Sequence, residues 1–269
     1  MKKFLLLSLG CACAFGASLQ EIQSSKKVKI GVRENLPPFS SQVNGQSEGF
    51  EVSLAKEIGT KLVGSDGSID LVVIEAKDRL PMLKNGDLDL VVGNFSATPA
   101  RAKEVDFSVP YLADVQVVVT RKADGVTKLS DLKGKKIIVQ KGTTSDDWLK
   151  TNAQKYSFDV SYCEHGVECA EKMLSNEVDG YMHTNITAAA VVMNNPSLET
   201  GVKSVGEIDY ICVGAQKGNA ELVNFVNNAI IELTKAEFFQ HAYTDTFEKF
   251  YKGSIDKKYL LLDDFLSNF

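Results

Sequence analysis

The chain has 269 residues, 44% of them hydrophobic and 24% charged, a composition that suits a cored globular protein of one large or two modest domains. Thirty Lys and Arg against 35 Asp and Glu give a formal charge of −5. No basic stripe interleaves with aromatics, so a nucleic-acid groove is not expected.

Met1-Lys2-Lys3 followed by the apolar run Phe4 to Phe15 predicts a secretory signal over residues 1–16, too short to span a bilayer. Ala14 and Gly16 supply small residues for cleavage before Ala17, while Ser8-Leu9-Gly10-Cys11 loosely resembles a lipoprotein signal, so lipidation at Cys11 is the alternative to a soluble exported form. Beyond the signal, strand and helix patterns alternate. Val28–Val32 reads as a strand, Phe50-Leu54-Ile58-Leu62 as a helical stripe, Ile69–Ile74 as a strand, Leu80–Lys84 as a short helix and Leu88–Val92 as a strand. After Val115–Thr120 the alternation restarts: strands at Lys136–Gln140, Phe158–Tyr162 and Val178–Met182, with helices from Asp146, over Val167–Leu174 and from Ile186. Tyr210–Gln216 is a further strand, and amphipathic helices over Ala220–Leu233 and Ala236–Phe250 are best explained by a return to the first lobe.

This βα order predicts an α/β protein of two lobes, each a mixed sheet flanked by helices. Lobe 1 is expected over residues 27–116 plus 215–269 and lobe 2 over 121–210, with a two-strand hinge near 117–121 and 210–214 and a ligand in the cleft between. The apolar tail with Tyr259-Leu260-Leu261-Leu262 and Phe265 is expected to pack on lobe 1. After export, Cys163, Cys169 and Cys212 are left in an oxidising compartment. Cys163 and Cys169 flank a short loop that could carry a disulfide; small core residues are the alternative for all three.

Two segments could carry chemistry. In Gly93-Asn94-Phe95-Ser96-Ala97-Thr98-Pro99-Ala100-Arg101, Thr98 reads as a helix cap and Pro99 as the first helical residue, so Arg101 falls in the first turn, where the helix dipole disfavours a cation. A residue that breaks a local rule points to function, and an arginine fork suits a carboxylate; a surface pair with Glu104 or Glu48 is the alternative. In Gln140-Lys141-Gly142-Thr143-Thr144-Ser145-Asp146 a strand ends in a glycine turn and a helix begins with hydroxyl caps, so its free N–H groups could receive a carboxylate. Read as structure alone, it is a capping box. The histidines, His165, His183 and His241, are scattered, and no metal, nucleophile-elbow or phosphate-loop signature is present, so no catalytic residue, cofactor or metal is expected.

The Gly49-to-Ala55 segment, the Thr98-to-Tyr111 block and Lys135 to Thr144 together resemble the polar amino-acid family of extracellular solute-binding proteins of ABC transporters, nearest to its cysteine-, aspartate- and glutamate-binding members. The resemblance runs from Val28 to about Phe250. It implies a type II periplasmic-binding clamshell, acting as a monomer, that closes on a free amino acid and delivers it to an inner-membrane permease. It also implies that Arg101 grips the ligand α-carboxylate, aided by Asn94, Ser96, Thr143 and Thr144, and that Arg79 lies near the ligand side chain; an ion pair of Arg79 with Asp78 or Glu75 is the alternative. Two positions depart from the pattern. Thr184 stands where relatives carry an aspartate for the α-ammonium, and Leu36 where many carry a stacking aromatic. Either another carboxylate such as Glu34 fills the role, or the ligand is not a standard α-amino acid. A cyclohexadienyl dehydratase-like enzyme on the same fold is the alternative function; it needs a cleft acid, for which Glu34 is the candidate.

Overall fold

The computed structural model describes residues 16–253, 255, 257 and 260–266. The expected signal, apart from Gly16, and Tyr259 in the tail lie outside the described residues. Helix α1 (Leu19–Ser25) leads into β1 (Lys27–Arg33), the hairpin of β2 (Ser41–Val43) and β3 (Gln46–Glu48), α2 (Phe50–Val63), β4 (Ser68–Ile74), α3 (Arg79–Asn85), β5 (Leu90–Val91) and the long strand β6 (Val105–Arg121). Then come β7 (Lys136–Gln140), α4 (Thr144–Tyr156), β8 (Asp159–Cys163), α5 (Gly166–Leu174), β9 (Gly180–Thr184), α6 (Asn185–Asn194), the second long strand β10 (Leu198–Gln216), α7 (Ala220–Lys235) and α8 (Phe238–Tyr243).

One mixed sheet runs through the molecule in the order β4-β1-β5-β10-β6-β9-β7-β8. β1 lies parallel to β4 and β5, β7 lies parallel to β8 and β9, and the antiparallel pair β6 and β10 joins the two halves. Both stretches expected to cross between the lobes, 117–121 and 210–214, lie within these two long strands, and Gln116–Val119 pair with Tyr181–Thr184 of β9.

The first lobe's core joins Ile30, Leu54, Ile58 and Phe50 to Leu222, Ile230, Phe239 and Phe247, which places the C-terminal helices against β1 and α2. The helix expected over 236–250 is interrupted: α8 ends at Tyr243, and Thr244–Glu248 form a wider π turn. That turn puts the Phe247 ring 5.2 Å from those of both Phe39 and Phe50. Tertiary packing has overridden a regular helical period. In the second lobe, Ile138, Cys169 and Met173 pack on one sheet face and Val139, Leu149 and Met182 on the other, the alternation that a strand covered on both sides requires. Cys163 and Cys169 form a disulfide, and Cys212 is a buried free thiol.

Candidate functional site

Strand ends and helix starts from both lobes meet at one small cavity. Its wall is Arg33, Arg79, Asn94, Ser96, Arg101, Thr143, Thr144, His183 and Thr184. All seven residues singled out in the sequence are present, together with two that were not, Arg33 and His183. The free space is about 10 Å3, room for no more than a water molecule.

Arg101 follows the turn at Thr98, and the cap is real: Thr98 Oγ1 accepts from Arg101 N–H at 3.2 Å, and Thr98 O from Ala102 N–H at 2.9 Å. The helix is not. Arg101–Lys103 make a single 3₁₀ turn, so the long dipole that would have opposed the cation is absent. Nor does Arg101 pair with Glu104, which binds Lys84, or with exposed Glu48. The Arg101 side chain donates to Ser96 O at 3.1 Å, to Gly142 O at 3.1 Å and to Asp147 Oδ2 at 3.1 Å. The last two acceptors belong to the second lobe.

Arg79 is buried at the start of α3 and pairs with neither Asp78 nor Glu75. It donates from Nε to Ala76 O at 2.9 Å, from Nη1 to Gly93 O and Asn94 O, and from Nη2 to Gly142 O at 2.7 Å. The Arg79 and Arg101 guanidiniums lie 4.9 and 5.3 Å from the Phe95 ring centre, where the ring face attracts a cation. Gly142 is obligatory at its place. Its φ is +75°, and a Cβ there would come 2.7 Å from Lys77 Cα of the other lobe.

Asn94 has a left-handed φ of 48°, which asparagine tolerates. Its N–H donates to buried Glu51 Oε1 at 2.7 Å, and Tyr111 O–H donates to the same oxygen at 2.6 Å. Asn94 Oδ1 is buried without a partner. On the second lobe, Thr143 caps α4 by accepting from Asp146 N–H at 3.2 Å and donates to Gln140 O at 2.8 Å. Asp146 Oδ2 reaches back to Gly142 N–H at 2.9 Å, and Thr144 Oγ1 donates to Asp209 Oδ2 at 2.6 Å. Thr184 immediately precedes α6, yet buried Asp114 caps that helix, accepting from Ile186 N–H at 3.1 Å. His183 Nδ1 accepts from Thr184 N–H at 2.8 Å, which puts its proton on Nε2; burial pushes its pKa down to about 3, so the ring is neutral.

One expectation is corrected. Glu34 is exposed, outside the cavity wall, so it neither supplies a cleft anion nor the acid that the dehydratase-like alternative needs. Leu36 lines a separate apolar groove with Pro37, Val167 and Phe250. The fold also gathers Glu34, Glu75 and His165, ligand atoms within 4.8 Å of one another, but the Lys77 ammonium lies 2.6 Å from Glu75 and 2.8 Å from Glu164 and offsets that charge. The signal that could have found Arg33 was a charged residue ending an apolar strand; nothing in the local sequence marked His183.

The sequence model of the bacterial extracellular solute-binding proteins, family 3, matches residues 28–249. The ABC transporter glutamine-binding protein GlnH of Bacillus subtilis is 27% identical over 216 residues, 79% of this chain and 78% of its own. The fold matches the solute receptor for L-cysteine of Neisseria gonorrhoeae with a TM-score of 0.85 and 30% identity, over 91% of this chain and 99% of that one. It matches the cysteine-binding protein of Campylobacter jejuni with a TM-score of 0.84 and 30% identity, over 90% and 98%.

Proposed function

The chain belongs to the bacterial extracellular solute-binding proteins of family 3, and on that premise we propose that it captures a small polar or acidic amino acid between its lobes and delivers it to an ABC-transporter permease. One observation carries this reading. Arg101, Arg79, Asn94 and Ser96 from the first lobe and Thr143, Thr144 and Thr184 from the second line a single cavity. With about 10 Å3 free, a ligand enters only when the lobes part, and β6 and β10 are the strands about which they would move.

A ligand carboxylate takes over the Arg101 donors now given to Gly142 O and Asp147, as a short charge-assisted pair. The first-turn N–H groups of α4 supply further donors from the facing lobe, and the Thr143 and Thr144 hydroxyls do so on releasing Gln140 O and Asp209. The protein then acts by binding alone, as a monomer outside the cytoplasmic membrane. Among the described residues no helix is long and apolar enough to cross a membrane.

Thermal unfolding in the presence of single amino acids and dicarboxylates tests the proposal. A ligand at a hundred times its dissociation constant adds about 2.7 kcal/mol of stability. Arg101→Ala is expected to fold and to lose about 2–5 kcal/mol of binding, roughly 30- to 4000-fold. If no amino acid or dicarboxylate raises the unfolding temperature, the proposal fails.

A further inference from the structure

β1 and β4 run parallel with Arg33 opposite Ile74, so the next residue of each, Glu34 and Glu75, leaves the sheet at the same end. Glu34 N–H, donating to Ile74 O at 2.9 Å, fixes the two side by side. From the second lobe His165 joins them, in the connection between β8 and α5. One ligand atom from each of the three residues lies within 4.8 Å of the other two.

The His165 connection is pinned through its backbone and its neighbours. The Cys163–Cys169 disulfide brackets it, and Glu164 N–H donates to Glu168 Oε2 at 2.8 Å. Gln140 Nε2 donates to Glu164 O, and Cys169 N–H to His165 O at 3.2 Å. The ring is left over. His165 stands at the N-cap of α5 without capping it through its side chain, and among the described residues neither its ring nor the Glu34 carboxylate makes a hydrogen bond or ion pair. Lys77 lies 2.6 Å from Glu75 and 2.8 Å from Glu164. It is the one cation paired with the carboxylates of Glu34, Glu75 and Glu164 among the described residues, so the cluster keeps an excess of negative charge beside a free imidazole. Two carboxylates and an imidazole, with positions left for water, form a donor set for a divalent transition ion such as zinc or manganese.

We propose that Glu34, Glu75 and His165 bind one divalent transition-metal ion between the lobes, and that the ion clasps them together. Lys77 gives up Glu75 and keeps Glu164. Two ligands belong to the first lobe and one to the second, so the ion binds the closed form more tightly than an open one and shifts the molecule toward it. The site uses no residue of the cavity wall and is independent of the solute-capture reading.

Zinc and manganese chloride, titrated separately into the chelator-treated, tag-free protein by isothermal calorimetry, test this. One zinc ion per chain is expected to bind and to raise the unfolding temperature. His165→Ala and Glu75→Gln should each weaken zinc binding about tenfold or more, while His241→Ala, on α8, changes it by less than about threefold. Lys77→Met removes the competing ammonium and should tighten zinc binding several-fold. Small-angle scattering reads the clasp: zinc should make the wild type more compact and leave His165→Ala unchanged. Zinc binding that His165→Ala leaves intact places the ion elsewhere and overturns the inference. So does binding of neither metal by the folded wild type, or bound zinc with no change in scattering. Should Glu75→Gln not fold, the His165→Ala and Lys77→Met titrations, both at exposed side chains, decide the matter. Each of these failures leaves solute capture standing, since that is read with amino acids and dicarboxylates.

Discussion

Arg101 and Asp147 meet across the cavity, with Nη2 3.1 Å from Oδ2, the arginine side chain 8% and the aspartate 48% exposed. Asp147 occupies the arginine from the opposite lobe in the manner of an incoming carboxylate. Because the aspartate is half in water, the pair contributes little to folding. Asp147→Ala is therefore expected to change unfolding stability by less than about 1 kcal/mol. It removes an internal competitor and should tighten ligand binding several-fold by titration calorimetry. Weaker binding would show instead that Asp147 holds the closed form around the ligand.

Glu51 anchors the loop that carries Asn94 and Ser96, since its Oε1 accepts from both Asn94 N–H and Tyr111 O–H. Glu51→Ala strands two buried donors at about 1–3 kcal/mol each, while Glu51→Gln keeps an acceptor and should lose much less. Urea unfolding of the two variants checks the order. Equal losses would mean that the acceptor is not what stabilises the loop.

Asp114 should make stability depend on pH. Burial pushes it up to about 7 from 3.8, although Val115 and Ile186 N–H groups favour its charged form. A raised acid holds its proton more tightly folded than unfolded, so its contribution is full below about pH 4 and is lost as pH rises through about 7. Asp114→Asn does not titrate. Between pH 4 and 8 the wild type should lose stability relative to this variant by on the order of a few kcal/mol, measured by urea unfolding. A constant difference between the two proteins would refute the assignment.

The Cys163–Cys169 disulfide closes a loop with a sequence separation of 6. Reduction is expected to cost about 2 kcal/mol, read by unfolding with and without dithiothreitol. Cys212 should resist alkylation in the folded protein, because burial covers its thiol and pushes it up to about 12. Rapid labelling of native Cys212 would contradict its place in β10.

Much of the framework is legible in local pattern. β7 runs over Lys136–Gln140, as expected from its apolar run, and Thr143 caps α4 as its hydroxyl, turn and acidic neighbours indicate. The Thr98 cap bonds are also present, but only three residues of 3₁₀ turn follow them. The helix over 236–250 reads as regular because its apolar spacing is regular. Its π turn arises where Phe247 must fit between Phe39 and Phe50, about two hundred residues away in the chain.

By itself the sequence determined the order of strands and helices and the residue types offered at each turn, including Arg79, Arg101, Thr143 and Thr144. Those properties are written locally, in side-chain period and capping chemistry. Only the tertiary structure decided which groups share the cavity and which already have partners: Arg79 spent on carbonyls, Arg101 on Asp147, Glu34 outside, Arg33 inside and unpaired. Burial and charge pairing depend on neighbours brought from distant parts of the chain, and no local period records them.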